Sequence, residues 1–380
     1  MSLSADRPAT RTATRLAFLV AGFGMACWAP LVPFAKLRVG VDDGELGLLL
    51  LCIGLGSISA MIATGPISAR FGSKPVIVAG GLALAATLPF LALAATPVAL
   101  GAALFVFGGA LGSIDVAMNI HAVEVERAAA RPLMSGFHAL FSIGGFAGAA
   151  LMTVFLTAGL PPLAGTLVFA ALIVPAILIA SPRLLPAAAA ENEPLFVRPR
   201  GVVLLLAILA AATFLVEGAM LDWSALLIAE EGLVARDQAG LGYILFSIAM
   251  TIGRLGGDRL TARIGDRSTL IGSGTLAVAG LVVLLTASAS AVALAGFLLI
   301  GFGASNIVPV LFRRAGSQEA MPPALAIGAI TTMGYAGILA GPAVIGFVAH
   351  GVGLSAAFWM LAGLLCLVPL SAAVVTKGAR

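Results

Sequence analysis

Charge is what this sequence has least of. Only 10% of its 380 residues are Asp, Glu, Lys or Arg, against about 25% in an ordinary soluble domain. With 61% of the chain hydrophobic, too little polar surface remains to cover a water-facing globule, and most side chains must face one another or lipid. Cysteine is almost missing too. Cys27, Cys52 and Cys366 lie singly in apolar runs, without the Cys-x-x-Cys or Cys/His grouping of a disulfide framework or metal site, so they read as small core residues. A Gly-x-x-x-x-Gly-Lys phosphate loop is lacking, which removes ATP as an energy source. A net charge of +4 would suggest nucleic acid in a soluble protein; here the basic residues sit in short loops and set topology instead.

Apolar sequence is what the chain does have. Crossing about 30 Å of hydrocarbon takes roughly 20 apolar residues per helix. Hydrophobic runs fall at about 15–36, 45–68, 75–95, 98–121, 133–158, 163–181, 201–229, 238–257, 268–287, 290–312, 323–349 and 353–375. The fold class expected is therefore an all-α integral membrane protein with twelve transmembrane helices. The first run carries Trp28, Pro30 and Pro33 and leads into Lys36 without a small-residue cleavage site, so it reads as a retained helix that is broken along its length.

Basic residues orient the spans. With an inside N-terminus, all but a few arginines and lysines, from Arg7, Arg11 and Arg15 to Lys377 and Arg380, fall on the cytoplasmic side, leaving Lys36, Arg38 and Arg236 outside. The longest break, Ser181 to Arg200, holds four prolines and mixed charge. It divides the chain into a bundle over 1–181, a cytoplasmic linker over 182–200 and a bundle over 201–380.

The halves repeat. Ala69-Arg70-Phe71-Gly72-Ser73-Lys74 matches Ala262-Arg263-Ile264-Gly265-Asp266-Arg267 at an offset of 193 residues, and Glu45-Leu46-Gly47-Leu48 matches Gln238-Ala239-Gly240-Leu241 at the same offset. Gly145-Phe146-Ala147-Gly148 resembles Gly334-Tyr335-Ala336-Gly337 at an offset of 189. Parallel repeats of six-helix units are a transporter architecture.

On these residues the chain resembles the major facilitator superfamily. The family's signature loop, Gly-x-x-x-Asp-Arg-x-Gly-Arg-Arg, has its counterpart in Gly65-Pro66-Ile67-Ser68-Ala69-Arg70-Phe71-Gly72-Ser73-Lys74. Ala69 and, in the second copy, Ala262 replace the acid, and Asp258 stands where the second copy's first Gly would be. The resemblance implies two pseudo-symmetric six-helix bundles, with Gly65, Arg70, Gly72, Lys74, Arg263 and Gly265 in conformational loops. Because the acid helps lock the cytoplasmic side in the family, the lock here is expected to be weaker or to use other partners. Trp28-Ala29-Pro30-Leu31-Val32-Pro33, Asp115-Val116-Ala117-Met118-Asn119, the run Ser135 to Ser142 and Glu217-Gly218-Ala219-Met220-Leu221-Asp222-Trp223-Ser224 look like the branch containing MosC and YbjJ, distantly related to fucose permease-type sugar permeases.

Ionisable groups at membrane depth cost at least about 2.5–3.5 kcal/mol and normally face a cavity. Asp115 and Asn119 are four apart on one helical face, suited to a polyol or ammonium group or to an interhelical hydrogen bond. Glu217, mid-span, suits proton coupling. Asp222 and Trp223 suit a substrate vestibule, the indole stacking on a sugar ring; the alternatives are a water contact at the helix end and an interfacial anchor. His138 is a second proton-carrier candidate or a hydrogen-bond partner of nearby serines. His121 and His350 end their spans and read as interfacial. Trp28 at the broken helix and Asn306 before Pro309 complete the substrate-binding candidates, while Arg254 and Asp258, four apart, read as an intrahelical pair.

The function expected is a secondary active transporter moving a small polar solute, sugar- or cyclitol-like, by alternating access with proton coupling. Its partners are the solute, protons and the lipid of a cell inner membrane, for a monomer with cytoplasmic termini, no cofactor, no metal and no nucleic acid. Proton-antiport export of a metabolite or drug is the alternative, against which the fifth span lacks a Gly-Pro motif; a non-transporting sensor is the other. An intramembrane enzyme would need paired catalytic groups, and Ser135 with His138 finds no third member. The orientation is directly testable: a Glu193→Cys variant should resist an impermeant thiol reagent in intact cells and react after lysis. Rapid labelling of intact cells would reverse the topology.

Overall fold

The computed structural model describes residues 7–41, 43–186, 198–234 and 241–377. Most of the linker, Arg236 and the Gln238–Gly240 part of the repeat lie outside the described residues. Among the described residues fifteen α-helices follow in order: α1 (Pro8–Ala26), α2 (Val32–Val39), α3 (Asp43–Phe71), α4 (Ser73–Leu93), α5 (Pro97–Ala129), α6 (Met134–Thr157), α7 (Pro162–Ala180), α8 (Val202–Asp222), α9 (Ser224–Glu230), α10 (Leu241–Leu285), α11 (Ser290–Ala304), α12 (Ile307–Ser317), α13 (Pro323–Val352), α14 (Leu354–Leu365) and α15 (Leu367–Val375).

Local chemistry sets many boundaries. Proline opens α1, α5 and α7, where its missing N–H would have no intrahelical acceptor anyway. At α5 the hydroxyl of Thr96 also accepts from the Ala99 N–H at 3.2 Å. The first span breaks where proline demanded it: α1 stops at Ala26, a short 3-10 turn covers Ala29–Leu31, and α2 resumes at Val32.

Ten helices among the described residues are long and apolar enough to cross a bilayer. One of them, α10, has 45 residues and a length of about 68 Å, twice what one crossing needs. It kinks at Gly265, whose φ of 79° and ψ of 164° leave the helical region. Treating that kink as a boundary and adding the interrupted first helix accounts for twelve spans, in keeping with the sequence. Gly72, which separates α3 from α4, has φ 81° and ψ 163°. The two glycines lie 193 residues apart, at the matched place of the repeat, and a positive φ explains why glycine stands at both.

The chain divides into two compact units. The first holds the described parts of Met1–Ala130 and Phe137–Arg198 together with Pro322–Gly328; the second holds Arg131–Gly136, Pro199–Met321 and Ala329–Arg380. Inside each unit, helices touch at glycine. A Cβ on Gly108 would lie 2.0 Å from the Ile53 carbonyl oxygen, and one on Gly301 would lie 2.3 Å from that of Phe246. Both members of this second contact are again 193 residues beyond those of the first. Gly148 meets the Phe23 carbonyl at 2.4 Å in the first unit, and Gly337 meets that of Ala211 at 2.4 Å in the second, an offset of 189 between the glycines. The duplication read from short motifs is thus also a duplication of backbone contacts, the packing mode available where lipid removes the hydrophobic drive between helices.

Long polar side chains tie off helix ends. Arg38 donates to the carbonyls of Leu91 at 2.6 Å and Ala94 at 2.8 Å, at the end of α4. Arg314 does the same for α15 through Val375 at 3.0 Å and Lys377 at 3.1 Å. His121 differs from the interfacial position expected for it: it is fully buried. Because the Thr14 hydroxyl already donates to the Thr10 carbonyl, it accepts from His121 Nδ1 at 3.2 Å, while Nε2 accepts from the Leu185 N–H at 2.9 Å. Both ring nitrogens are therefore used by a neutral imidazole, which is why the side chain can be inside.

Gly144 tests the packing account, since its Cβ would lie 2.2 Å from the Leu19 carbonyl oxygen, whereas Gly256 has nothing within 4 Å. Gly144→Ala should destabilise the purified protein by about 1–3 kcal/mol, seen as a lowered thermal midpoint. Gly256→Ala should leave the midpoint unchanged or raise it. Equal midpoints for the two variants would contradict close packing at Gly144.

Candidate functional site

In the second unit, α8 and α10 bring together the two charges that their sequences place deepest. Glu217 lies fifteen residues from the Val202 end of α8, about 22 Å along the axis, and Arg254 lies eleven residues before the Gly265 kink, about 16 Å. A long arginine side chain spans the difference. Arg254 Nη2 and Glu217 Oε2 are 3.6 Å apart, with side chains 10% and 16% exposed. That is an ion pair in one oblique approach and not the paired short bonds of a bidentate fork. The other carboxylate oxygen, Glu217 Oε1, is buried without a hydrogen-bond partner among the described residues. Removing one member of a buried pair costs about 3–5 kcal/mol, so the two charges depend on each other. The sequence alone set Arg254 beside Asp258 and missed Glu217. Matching the depths of charges on neighbouring antiparallel spans was the signal that could have found it.

A polar network lies one turn further along α10. Asp258 Oδ1 accepts from the Ser135 N–H at 2.9 Å and Oδ2 from the Gly136 N–H at 2.7 Å, so the carboxylate sits on the first turn of α6. Charge-assisted bonds at a helix N-terminus are among the stronger polar contacts. Ser135 Oγ donates to Asn306 Oδ1 at 2.8 Å, and Asn306 Nδ2 donates to the Gly253 carbonyl at 3.2 Å and to Ser305 Oγ at 2.8 Å. Gly257 makes room for this amide, because a Cβ there would lie 1.6 Å from Asn306 Oδ1. The family's signature acid is missing, yet an acid one turn earlier holds backbone amides.

Trp223 follows α8, its ring 3.4 Å from where a Cβ of Gly346 would be. Its indole N–H is buried with no partner among the described residues. Asp222 ends α8, and its side chain lies outside the described residues.

In the first unit, α5 presents Asp115 and Asn119, both buried. Asn119 Nδ2 donates to the Asp115 main-chain carbonyl at 2.9 Å and to Asp115 Oδ1 at 3.3 Å, while Asn119 Oδ1 is buried without a partner among the described residues. The four-residue spacing does place both on one face. His138 on α6 is half-buried, edge-on to Phe18 with ring centroids 5.3 Å apart. Trp28 is buried, and its indole N–H also lacks a partner among the described residues.

The loop residues fall at the ends of α3, α4 and the α10 kink. Gly65 packs against the start of α13: a Cβ on Gly328 would lie 3.2 Å from the Gly65 Cα. Arg70 is exposed over the Phe71 ring at 5.2 Å, Lys74 is half-buried, and Arg263 is exposed. Among the described residues no group of three or more His, Cys, Asp or Glu could hold a metal ion.

Comparison with known proteins agrees with this architecture. The chain is 49% identical over 97% of its length to an uncharacterised MFS-type transporter of Yersinia pestis, of which it covers 96%. It is 31% identical over 92% of its length to the membrane protein MosC of Rhizobium meliloti, covering 86% of that protein. Its fold resembles that of the transporter FucP in the outward conformation, with a TM-score of 0.82, 15% identity and coverage of 97% of this chain and 98% of that one. It also resembles the human organic anion transporter MFSD10, with a TM-score of 0.75, 17% identity and coverage of 96% and 100%. Residues 15–318 match the family description of the Major Facilitator Superfamily. Repeated glycine contacts, paired left-handed glycines and these relatives agree: the chain belongs to the Major Facilitator Superfamily of membrane transporters.

Proposed function

We propose that the protein is a secondary active symporter that moves a small polar solute by alternating access, with no enzymatic step, and that Glu217 is the group through which proton movement is coupled to it. The ion pair between Glu217 and Arg254 carries this reading. A carboxylate held at membrane depth by one oblique contact, with its second oxygen unpartnered among the described residues, has two states that differ strongly in their cost in hydrocarbon. Such a difference is what lets a proton bias one conformation over another. His138, half-buried on α6, is the second proton-carrying candidate.

For the solute we propose Trp28, Asp115 and Asn119 in the first unit, supported by the unpartnered atoms of Trp28 and Asn119. In the second unit we propose Asp222 and Trp223. Asn306, whose amide also meets Ser135, Gly253 and Ser305, completes the proposed solute set. Gly65, Arg70, Gly72, Lys74, Arg263 and Gly265 form the loops that move between conformations; the matched backbone of Gly72 and Gly265 supports this reading. An inner-membrane location with cytoplasmic termini belongs to the same proposal and follows from the arginine distribution.

Glu217→Gln imitates the protonated acid and tests the coupling. In liposomes it should preserve solute exchange and abolish accumulation driven by a pH gradient. Loss of exchange and accumulation together would make Glu217 a solute contact alone, and normal gradient-driven uptake would move the coupling role to His138.

A further inference from the structure

Beside the ion pair, α8 and α13 bring two aromatic rings together inside the second unit. Phe214 lies three residues before Glu217, so both side chains leave one side of α8, about 60° apart. Tyr335 lies twelve residues from the Pro323 end of α13, as Phe214 lies twelve from the Val202 end of α8. At about 18 Å along its helix, this tyrosine stands well inside a span, away from the interfacial belt where tyrosine normally collects. Its ring centroid is 6.3 Å from that of Phe214, with the planes tilted by 59°. Gly334 makes the seat, since a Cβ there would lie 2.2 Å from the Phe214 ring.

The repeat marks these rings as an addition to the shared fold. Gly145, 189 residues before Gly334, faces the Ala26 Cβ at 3.9 Å where Gly334 faces Phe214. Phe146, the counterpart of Tyr335, is 79% exposed, whereas Tyr335 is half-buried. The glycine contacts of Gly148 and Gly337 are nevertheless alike in the two units, so the helix packing holds without an aromatic pair.

Burial shows which side of α8 the rings line. Phe214 and Glu217 are half-buried in a stretch where Thr213, Leu215, Val216, Ala219 and Met220 are buried. A partly exposed carboxylate at this depth is too costly to face hydrocarbon, so this side of α8 borders a polar pathway and Phe214 with Tyr335 walls it. Charge of both signs is already present there, in Glu217 and Arg254, with Asp258 a turn further along α10. What the wall adds is a carbon surface beside a carboxylate whose Oε1 has no partner among the described residues. That combination suits a neutral solute with a flat C–H face and hydroxyl donors on its edge. A hydroxylated carbon ring has both, while an open-chain polyol has no fixed face.

We propose that Phe214 and Tyr335 determine the specificity of the second unit, receiving the C–H face of a neutral cyclic polyol while one of its hydroxyls donates to Glu217. This inference rests on the reading of the chain as a transporter of a small polar solute and adds the shape of that solute and the residues that select it.

The test uses the full purified chain in detergent, with myo-inositol and glucose as rings, glucitol as the open chain and lactate as an anion. Ligands of the folded state raise the thermal midpoint by mass action. At least one ring should stabilise the protein at lower concentration than glucitol or lactate. Phe214→Leu and Tyr335→Leu keep an apolar side chain and lose the aromatic face. Each should weaken ring binding about 3- to 10-fold and narrow the preference for ring over open chain, while Tyr335→Phe should retain it. The preference is a ratio within one variant, so a general loss of stability does not move it. Stabilisation by neither ring, equal binding of ring and open chain by the native protein, or leucine variants with the native preference would each overturn the proposal. If a ring binds with the expected preference but its uptake driven by a pH gradient survives Glu217→Gln in liposomes, the wall stands and the coupling role of Glu217 falls.

Discussion

Hydrocarbon supplies neither hydrogen bonds nor counter-charges, and helices inside it associate by how closely their backbones can approach. Glycine permits that approach here. The pairs Gly108 with Ile53 and Gly301 with Phe246 bring backbones so near that any side chain at the glycine would overlap a carbonyl oxygen. Helices packed this closely leave little interior volume, so each polar group inside needs a partner of its own. His121 uses both ring nitrogens, Arg314 caps α15, and Asn306 fills the space opened by Gly257. Against that background the atoms without partners among the described residues include those at Glu217, Asn119, Trp28 and Trp223, which chemistry had already marked as candidates for a pathway, as well as the hydroxyls of Thr10 and Ser68.

Much of the fold was legible because its signals are local. Pro97 after Thr96 announces a helix start, Pro30 and Pro33 announce a broken first span, and the loops after the second and eighth spans carry the same glycine for the same backbone reason. The repeat offset of 193 was visible in two short motifs and reappears in pairs of helix contacts. The partners of polar residues were far less legible. His121 ends a run of apolar residues and reads as interfacial, but its partners Thr14 and Leu185 lie 107 and 64 residues away. Asp258 reads as a neighbour of Arg254, and nothing near it in sequence points to the Ser135 amide 123 residues earlier. Periodicity shows which face of a helix a residue occupies; it does not show which helix that face meets.

The departure of the signature loop from its family pattern has a structural counterpart in Asp258. Ala69 and Ala262 leave no carboxylate at the usual position, and the acid one turn earlier in the second copy binds the amides at the start of α6. The charge stands a helical turn before the family's position and lies at the N-terminus of α6, where it is stabilised by both the amides and the dipole.

Under the proposed function, proton coupling requires a group whose charge matters at membrane depth, and Glu217 with Arg254 is the pair proposed for it. The pair is buried enough for its charges to depend on one another and exposed enough, at 16% for Glu217, for water or solute to reach it. A double-mutant cycle on thermal stability with Glu217→Gln and Arg254→Gln measures that dependence directly. The double variant should be more stable than the sum of the two single losses implies, by about 1 kcal/mol or more, because removing both charges leaves neither uncompensated. Strictly additive losses would show that the two side chains do not act as a pair.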